Sequence, residues 1–499
     1  MTLPIDDPAR SILVKEQATE SSLVAPTHET MPAVGRPDET CRVPLDKIAK
    51  RAAPVRVWMQ KLFIALRPTS LKLSSAVSGV TTDLHNNVTA IDVSLRNLTG
   101  GVDFSQLPPT VRQVNLSNNS LSHTVIFPTV DFPQLPPVES QQSQQLVPQS
   151  IVERELYYSK FSRYVDFTKL PPSVERLNLS KNEFSGSVDF AKLPPSIGWL
   201  HLNNNKLQCK ADLTKLPPSI VELYLNNNSF HGSVDLTKLP PSIHWLDLSH
   251  NLFKGSVDLS KLPPSIAGLE LFGNRFSGHV DFTKLPPSIA QLNLSNNDGF
   301  SGSVDFSKLP PSIRWLHLNN NKFDGTADLT KLPPSIVELY LNNNSFSGSA
   351  DLTNLPPSIQ RLDLSHNRFD GSVDLSKLPP SIWVLCLSCN KFSGHIDFTK
   401  LPPSLFSLYL KSNEFSGMVD FTKLPPSLKR LDLSSNKFSG SVDFTKGLPP
   451  SIEELNLSHN DLCGSVDLTK LPPTLHSLDL RGTGLRHIPI GTVPSCVHF

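Results

Sequence analysis

The chain has 499 residues, of which 18% are charged, and a formal net charge of +1. That balance excludes a general nucleic-acid binder, whose affinity rests on a cationic excess. The length would ordinarily mean several globular domains, but most of the chain is one phrase repeated, so length here counts units.

Residues 1–41 are polar, proline-containing and aperiodic, with seven acids against three bases over 1–40. They are expected to be a disordered N-terminal segment. Residues 42–83 are basic and read as a linker or an N-terminal cap over the first edge of the array; a membrane-surface helix is the alternative. Positions 1–30 contain no apolar core of a signal peptide. The most apolar run, 55–66, carries Arg56, Gln60 and Lys61 and is too short to span a bilayer. Cys41, Cys209, Cys386, Cys389, Cys463 and Cys496 lack paired spacing. A reduced, cytoplasmic setting is expected, with a secreted or cell-surface location as the alternative.

From Leu84 to about position 490 the chain repeats Leu-Pro-Pro-Ser-Ile-x-x-Leu-x-Leu-x-x-Asn-x-Phe-Ser-Gly-Ser-Val-Asp-Leu-Thr-Lys about every 23 residues. Fourteen consecutive Leu-Pro-Pro-Ser/Thr copies run from Leu170 to Leu471. A fixed period in this range means a solenoid. The first units are irregular: Arg96 stands at an Asn position, an insertion lies near 122–146, and Arg154 and Ser159 replace a Leu and an Asn. Single-residue insertions near Asp298-Gly299 and at Gly447 both have glycine to absorb them. Blocks 193–260 and 309–376 nearly match, 116 residues apart, which points to segmental duplication. Residues 491–499 form a tail ending Cys496-Val-His-Phe, formally a prenylation box without a polybasic stretch, so membrane attachment is not expected.

Within one unit, 174–184, Leu177 and Leu179 alternate with Arg176, Asn178 and Ser180 and so face opposite sides of a strand. The pattern resembles the leucine-rich-repeat superfamily. The Pro-Pro-Ser return resembles repeats of surface-antigen-like leucine-rich proteins of kinetoplastid protists. The resemblance implies an α/β-type repeat, mostly β: a curved, right-handed leucine-rich-repeat solenoid. Its parallel sheet would be concave and its proline-rich convex side extended. About seventeen strands at about 4.8 Å spacing make a sheet about 75–80 Å long. The recurring asparagines, from Asn182 to Asn460, are expected to satisfy backbone groups where each strand ends. On the return side Ser-Gly reads as a turn, Val188 and Phe190 point inward, and Asp two before Thr or Ser suits an Asx-type turn.

No nucleophile elbow, P-loop or dinucleotide fingerprint is present. Cys386-x-x-Cys389 is half of a zinc motif, at positions that read as variable and exposed, with no second pair. No enzyme activity, cofactor or metal is expected. The informative surface is the concave face. Trp199, Trp245 and Trp315 precede the first strand leucine; Tyr224, Tyr340 and Tyr409 stand between the two leucines. Around them lie His201, His317, Asp247, Asp363, Glu222 and Glu338. Read as solvent-exposed, these aromatics point to a monomeric, non-catalytic scaffold that docks a protein partner. Two alternatives stand beside it: a purely stabilising aromatic ladder, and a secreted or cell-surface protein recognising protein or glycan.

Overall fold

The structure, a computed structural model, describes residues 80–82, 88–103, 111–126, 153–445, 448–488 and 493–499. The chain divides into Met1–Pro44 and Leu45–Phe499, and every described residue belongs to the second unit. The expected disordered segment, most of the basic stretch and positions 127–146 of the irregular insertion lie outside the described residues.

Alternation places two leucines of each unit inward, and parallel stacking lets each strand's backbone groups pair with its neighbours. The product is a 19-stranded main sheet. Its strands are short, as in Trp199–His201, Glu222–Tyr224 and Trp245–Asp247. Leu200 pairs with Leu223, and Leu223 with Leu246, all three fully buried. Every pairing in this sheet is parallel except the first, where Val80–Thr82 runs antiparallel to Val88–Asp92. The fold is thus a curved, mostly-β leucine-rich-repeat solenoid, and the described return segments contain single 3₁₀ turns and no α-helix.

The Ser-Gly step is a correction to the sequence reading. It is no simple turn but part of a second strand, and these strands form a twelve-stranded parallel sheet from His231–Gly232 to Gly484–His487. One unit alone shows only turn-forming residues; the hydrogen-bond partners exist only after stacking. Glycines such as Gly255 (φ +88°) and Gly394 (φ +89°) supply a left-handed backbone inside these strands. The preceding phenylalanines point inward and stack: Phe230, Phe253, Phe276 and Phe300 have successive ring centroids 6.2, 6.0 and 5.9 Å apart. Such contacts contribute about 0.5–1.5 kcal/mol each beyond area burial.

The asparagines tie the two sheets together. Asn251 Nδ2 donates to Leu248 O in its own turn (3.1 Å) and to Leu225 O in the preceding unit (3.0 Å). Its Oδ1 accepts from Phe230 N–H, also in the preceding unit, at 3.0 Å. One amide therefore closes the end of one strand and the start of the next across a unit boundary. The pattern holds at Asn119 and again from Asn182 to Asn460, with Ser159 standing in the asparagine's place between them. At the last unit Thr483 replaces it, and its hydroxyl bonds only within its own turn, to Leu480 O and from Leu485 N–H.

The return side is built from two further side-chain devices. Asp235 Oδ1 accepts from Thr237 N–H (2.9 Å) and Oγ1–H (2.6 Å), which confirms the Asx-type arrangement and lowers the Asp235 pKa. In most units this aspartate caps a 3₁₀ turn that ends on the leucine before Pro-Pro, as Asp189 caps Phe190–Lys192. That leucine, Leu193, has φ −64° and ψ 143°, the polyproline-like conformation expected of the convex side. The serine after Pro-Pro donates back to the preceding unit: Ser242 Oγ lies 2.6 Å from both Pro218 O and Ile220 O.

The interior insertion is absorbed as expected. Main-sheet register passes from Leu269↔Leu292 to Leu292↔Leu316, one residue longer, and Gly299 takes φ +146°. Arg154 occupies a leucine position in the core with no exposed surface, where burial lowers its pKa to about 9. The expected tail is partly ordered, since Val497–His498 pairs with Ser477–Asp479 as a last strand.

Replacing Asn251 by Ala leaves Phe230 N–H and the Leu225 and Leu248 carbonyls without their amide partner. The denaturant midpoint should fall, with a loss on the order of 1–3 kcal/mol. Coincident unfolding curves for parent and Asn251→Ala would show that the amide is dispensable at that unit.

Candidate binding face of the main sheet

Strand register assembles the candidate residues into two clusters. In the first, Trp199, Glu222 and Trp245 lie side by side, as do His201, Tyr224 and Asp247. In the second, Trp315, Glu338 and Arg361 are neighbours, as are His317, Tyr340 and Asp363. Tyr409 stands apart, between Cys386 and Asp432.

The expectation that these aromatics are solvent-exposed is wrong. Trp199, Trp245, Trp315 and Tyr224 are half-buried, and Tyr340 and Tyr409 keep only 2% and 6% of their surface. The reason is rung spacing: side chains only about 4.8 Å apart along the sheet cover one another. The His201 ring meets Tyr224 edge-on at 4.6 Å, and His317 lies 4.5 Å from Tyr340. Arg176 stacks over Trp199 at 4.3 Å, and Arg361 over Trp383 at 4.4 Å. Cys386 corrects the same assumption. It is 1% exposed and its thiol pKa is pushed well above the ordinary value by burial and by the Asp363 charge.

Ionisable groups respond to the same crowding. His317 Nε2 lies 3.2 Å from Glu338 Oε2, and Arg361 Nη1 lies 3.7 Å from Glu338 Oε1. Burial alone would raise the Glu338 pKa, but these two partners outweigh it and hold the group below its usual value. Glu222 is likewise lowered, chiefly by His201, whose Nε2 lies 3.7 Å from its Oε2. Asp247 lacks a cation. Burial raises it to about 6 against two opposing hydrogen bonds from Ser249. Its register neighbour Glu270 is raised well above the ordinary carboxylate value by burial and then by Asp247.

Sequence reasoning missed Glu270, Gln291 and Gly268. Gln291 Nε2 donates to Glu270 Oε1 at 2.5 Å. Gly268 is the only glycine at the position before the first strand leucine in the regular units, which was a readable signal. The Trp245 ring lies where a Gly268 side chain would be, so only glycine leaves room.

Several polar atoms on this face are buried without a hydrogen-bond partner among the described residues: Trp245 Nε1 and the Oδ1 atoms of Asn226, Asn319 and Asn342. In other units a serine follows the second leucine and donates to the Asp or Asn two residues earlier, as Ser249 does to Asp247. Where Tyr or His takes that earlier position, the following asparagine loses this arrangement. Among the described residues no group of three or more His, Cys, Asp or Glu side chains could hold a metal ion.

The fold is of the leucine-rich-repeat type. A family profile described as Leucine Rich Repeat matches residues 358–385 and 427–448. No curated protein matches the chain in sequence. YopM from Yersinia enterocolitica has a similar structure, with 25% identity, a TM-score of 0.55, and coverage of 89% of this chain and 98% of YopM. The Arabidopsis receptor kinase HAESA, in complex with the peptide hormone IDA and the co-receptor SERK1, is 21% identical. Its TM-score is 0.54, over 87% of this chain and 98% of that one. The plant peptide hormone receptor RGFR1, in complex with RGF2, is 20% identical with a TM-score of 0.55, over 81% and 80%. The similarity to these receptors is one of fold.

Two measurements check this geometry. Gly268→Ala must displace Trp245, so stability should drop by about 1–3 kcal/mol. Trp245→Ala should remove most of that penalty in a double-mutant cycle; additive effects would contradict the contact. Asp247 tests the electrostatics. An acid with a raised folded pKa keeps its proton on folding where the unfolded chain has released it. Its stabilising share is complete below the unfolded value and is lost as pH rises through about 6. Lowering the pH from 7 to 5 should therefore stabilise the parent relative to Asp247→Asn, by on the order of 1 kcal/mol. An unchanged difference between the two midpoints at pH 5 and pH 7 would refute the burial argument.

Proposed function

We propose that the chain is a non-catalytic recognition scaffold that binds a protein or peptide partner on the concave face of its main sheet. The observation that carries this reading is the set of unpartnered polar atoms, Trp245 Nε1 with Asn226, Asn319 and Asn342 Oδ1, among half-buried aromatics. Buried polar groups are normally paired, and a partner's backbone offers both the acceptor and the donors these atoms lack. The rigid array holds the aromatics in place before binding, which lowers the ordering cost. HAESA and RGFR1, both bound to peptides in their solved structures, support the reading by analogy of fold. Trp199, His201, Glu222, Tyr224, Trp245 and Asp247 form the first contact cluster. Trp315, His317 and Tyr340 form the second, with Tyr409 outside both.

Of the two locations expected from the sequence, the secreted or cell-surface one agrees with these receptors, which lend no support to the cytoplasmic one. No helix among the described residues is long and apolar enough to cross a membrane.

The test is selection of a random-peptide display library on the parent protein, followed by affinity measurement on Tyr224→Ala with Trp245→Ala. Both proteins are compared at a temperature where circular dichroism shows them folded. Selected peptides should lose at least about 2 kcal/mol of binding on the double variant. Peptides that bind parent and variant equally would place recognition elsewhere and overturn the concave-face reading.

A further inference from the structure

The second sheet carries a groove that the main-sheet reading does not use. It has a volume of about 740 Å3 and is lined by Lys210, His231, Leu252, Lys254 and Arg275 around a floor that includes Gly232 and Gly255. We propose that this groove binds an acidic peptide segment containing an aliphatic side chain.

Register sets the charges in a row. Lys210 bridges to His231, His231 pairs with Leu252, and Lys254 pairs with Arg275, so four successive units each contribute a basic side chain. Rungs are about 4.8 Å apart, and all four basic residues are exposed. No carboxylate lines the groove, and none of the four has an ion-pair partner among the described residues. Two cations elsewhere on the same side are matched: Lys206 meets Glu183 at 3.1 Å and Lys437 meets Glu414 at 2.8 Å. The turn aspartates nearest in sequence, Asp212, Asp235, Asp258 and Asp281, are held by Thr214, Thr237, Ser260 and Thr283.

The internal duplication supplies a comparison within the molecule. Blocks 193–260 and 309–376 differ at twelve positions, and four of these, Lys210, His231, Leu252 and Lys254, line the groove. Their counterparts are Thr326, Ser347, Arg368 and Asp370. The concave aromatics His201 and Tyr224 are unchanged in the second block as His317 and Tyr340. The cationic row is therefore a local departure from the repeat, in one copy only.

The lining also selects the kind of polyanion. Leu252 is 40% exposed in the middle of the row, and the Lys210 stem lies across Gly232. A sulfated or phosphorylated sugar chain offers no apolar group to this aliphatic surface. An acidic peptide offers carboxylates to the cations and an aliphatic side chain to Leu252 and the lysine stem. The flanking strands are already paired on both sides, so recognition runs through side chains and not through strand addition.

The probe is a labelled twelve-residue peptide of alternating Glu and Leu, titrated by fluorescence anisotropy onto the full-length protein at low salt. It should bind parent but bind Lys210→Glu with Lys254→Glu at least tenfold more weakly, and raising the salt should weaken the parent toward the variant. Tyr224→Ala with Trp245→Ala should bind as parent does, which separates this groove from the concave face. Thr326→Lys with Ser347→His, Arg368→Leu and Asp370→Lys should build a second site, raising the stoichiometry from one to two. Equal affinity for parent and charge-reversed protein overturns the proposal. So does a heparin fragment that binds in the groove-dependent manner while the peptide does not.

Discussion

The stacking of the regular units depends on one side-chain amide in each. The chain turns inward at the end of each main-sheet strand, where carbonyls and amides would be buried without partners. Asn251 answers for four of them at once, three carbonyls and one N–H, and two of the four belong to the preceding unit. A turn of chain can therefore satisfy its own backbone only with the following one in place. In the regular units a spacing of 23 residues returns an asparagine to the same point above its predecessor's strand, and the 24-residue step from Asn297 to Asn321 does the same. The second sheet follows too, because Phe230 N–H, fixed by Asn251, is where its strand begins.

That rigid spacing sets the chemistry of the main-sheet face. Side chains held one rung apart cannot spread, so large aromatics fold against one another and lose solvent. Carboxylates with a cation on the next rung, such as Glu338, stay ionised readily, while Asp247 and Glu270, adjacent and without one, do not. The same regularity makes departures informative. Gly268 exists because Trp245 occupies its space, and the cations at Lys210 and Lys254 stand where the duplicate copy has a threonine and an aspartate.

The sequence announced the solenoid, the inward leucines, the asparagine role and the capping aspartates, because each repeats and each depends on contacts within a unit or to the next one. The second sheet was hidden, since Phe-Ser-Gly-Ser has turn-forming composition and acquires partners only by stacking. Exposure on the main sheet was misjudged for a related reason. Alternation tells which side Tyr340 points to, but only the rung spacing tells that Arg361, Glu338 and His317 close over it. The candidate residues were correctly grouped by row. Their burial, the Asp247–Glu270 pair and the lateral cationic row needed neighbours that lie a whole unit away in the chain.

Thr483, which bonds only inside its own turn, is an exception in an array whose regular members share one bonding scheme. Any block cut at whole periods presents the same acceptors at its front and the same amide at its back. The molecule can lengthen or shorten by whole rungs without redesign of what remains, and the 116-residue near-copy bears the mark of such an event. Reach is thus inherited separately from recognition: a lineage can adjust how far the scaffold extends while individual rungs drift toward new ligands.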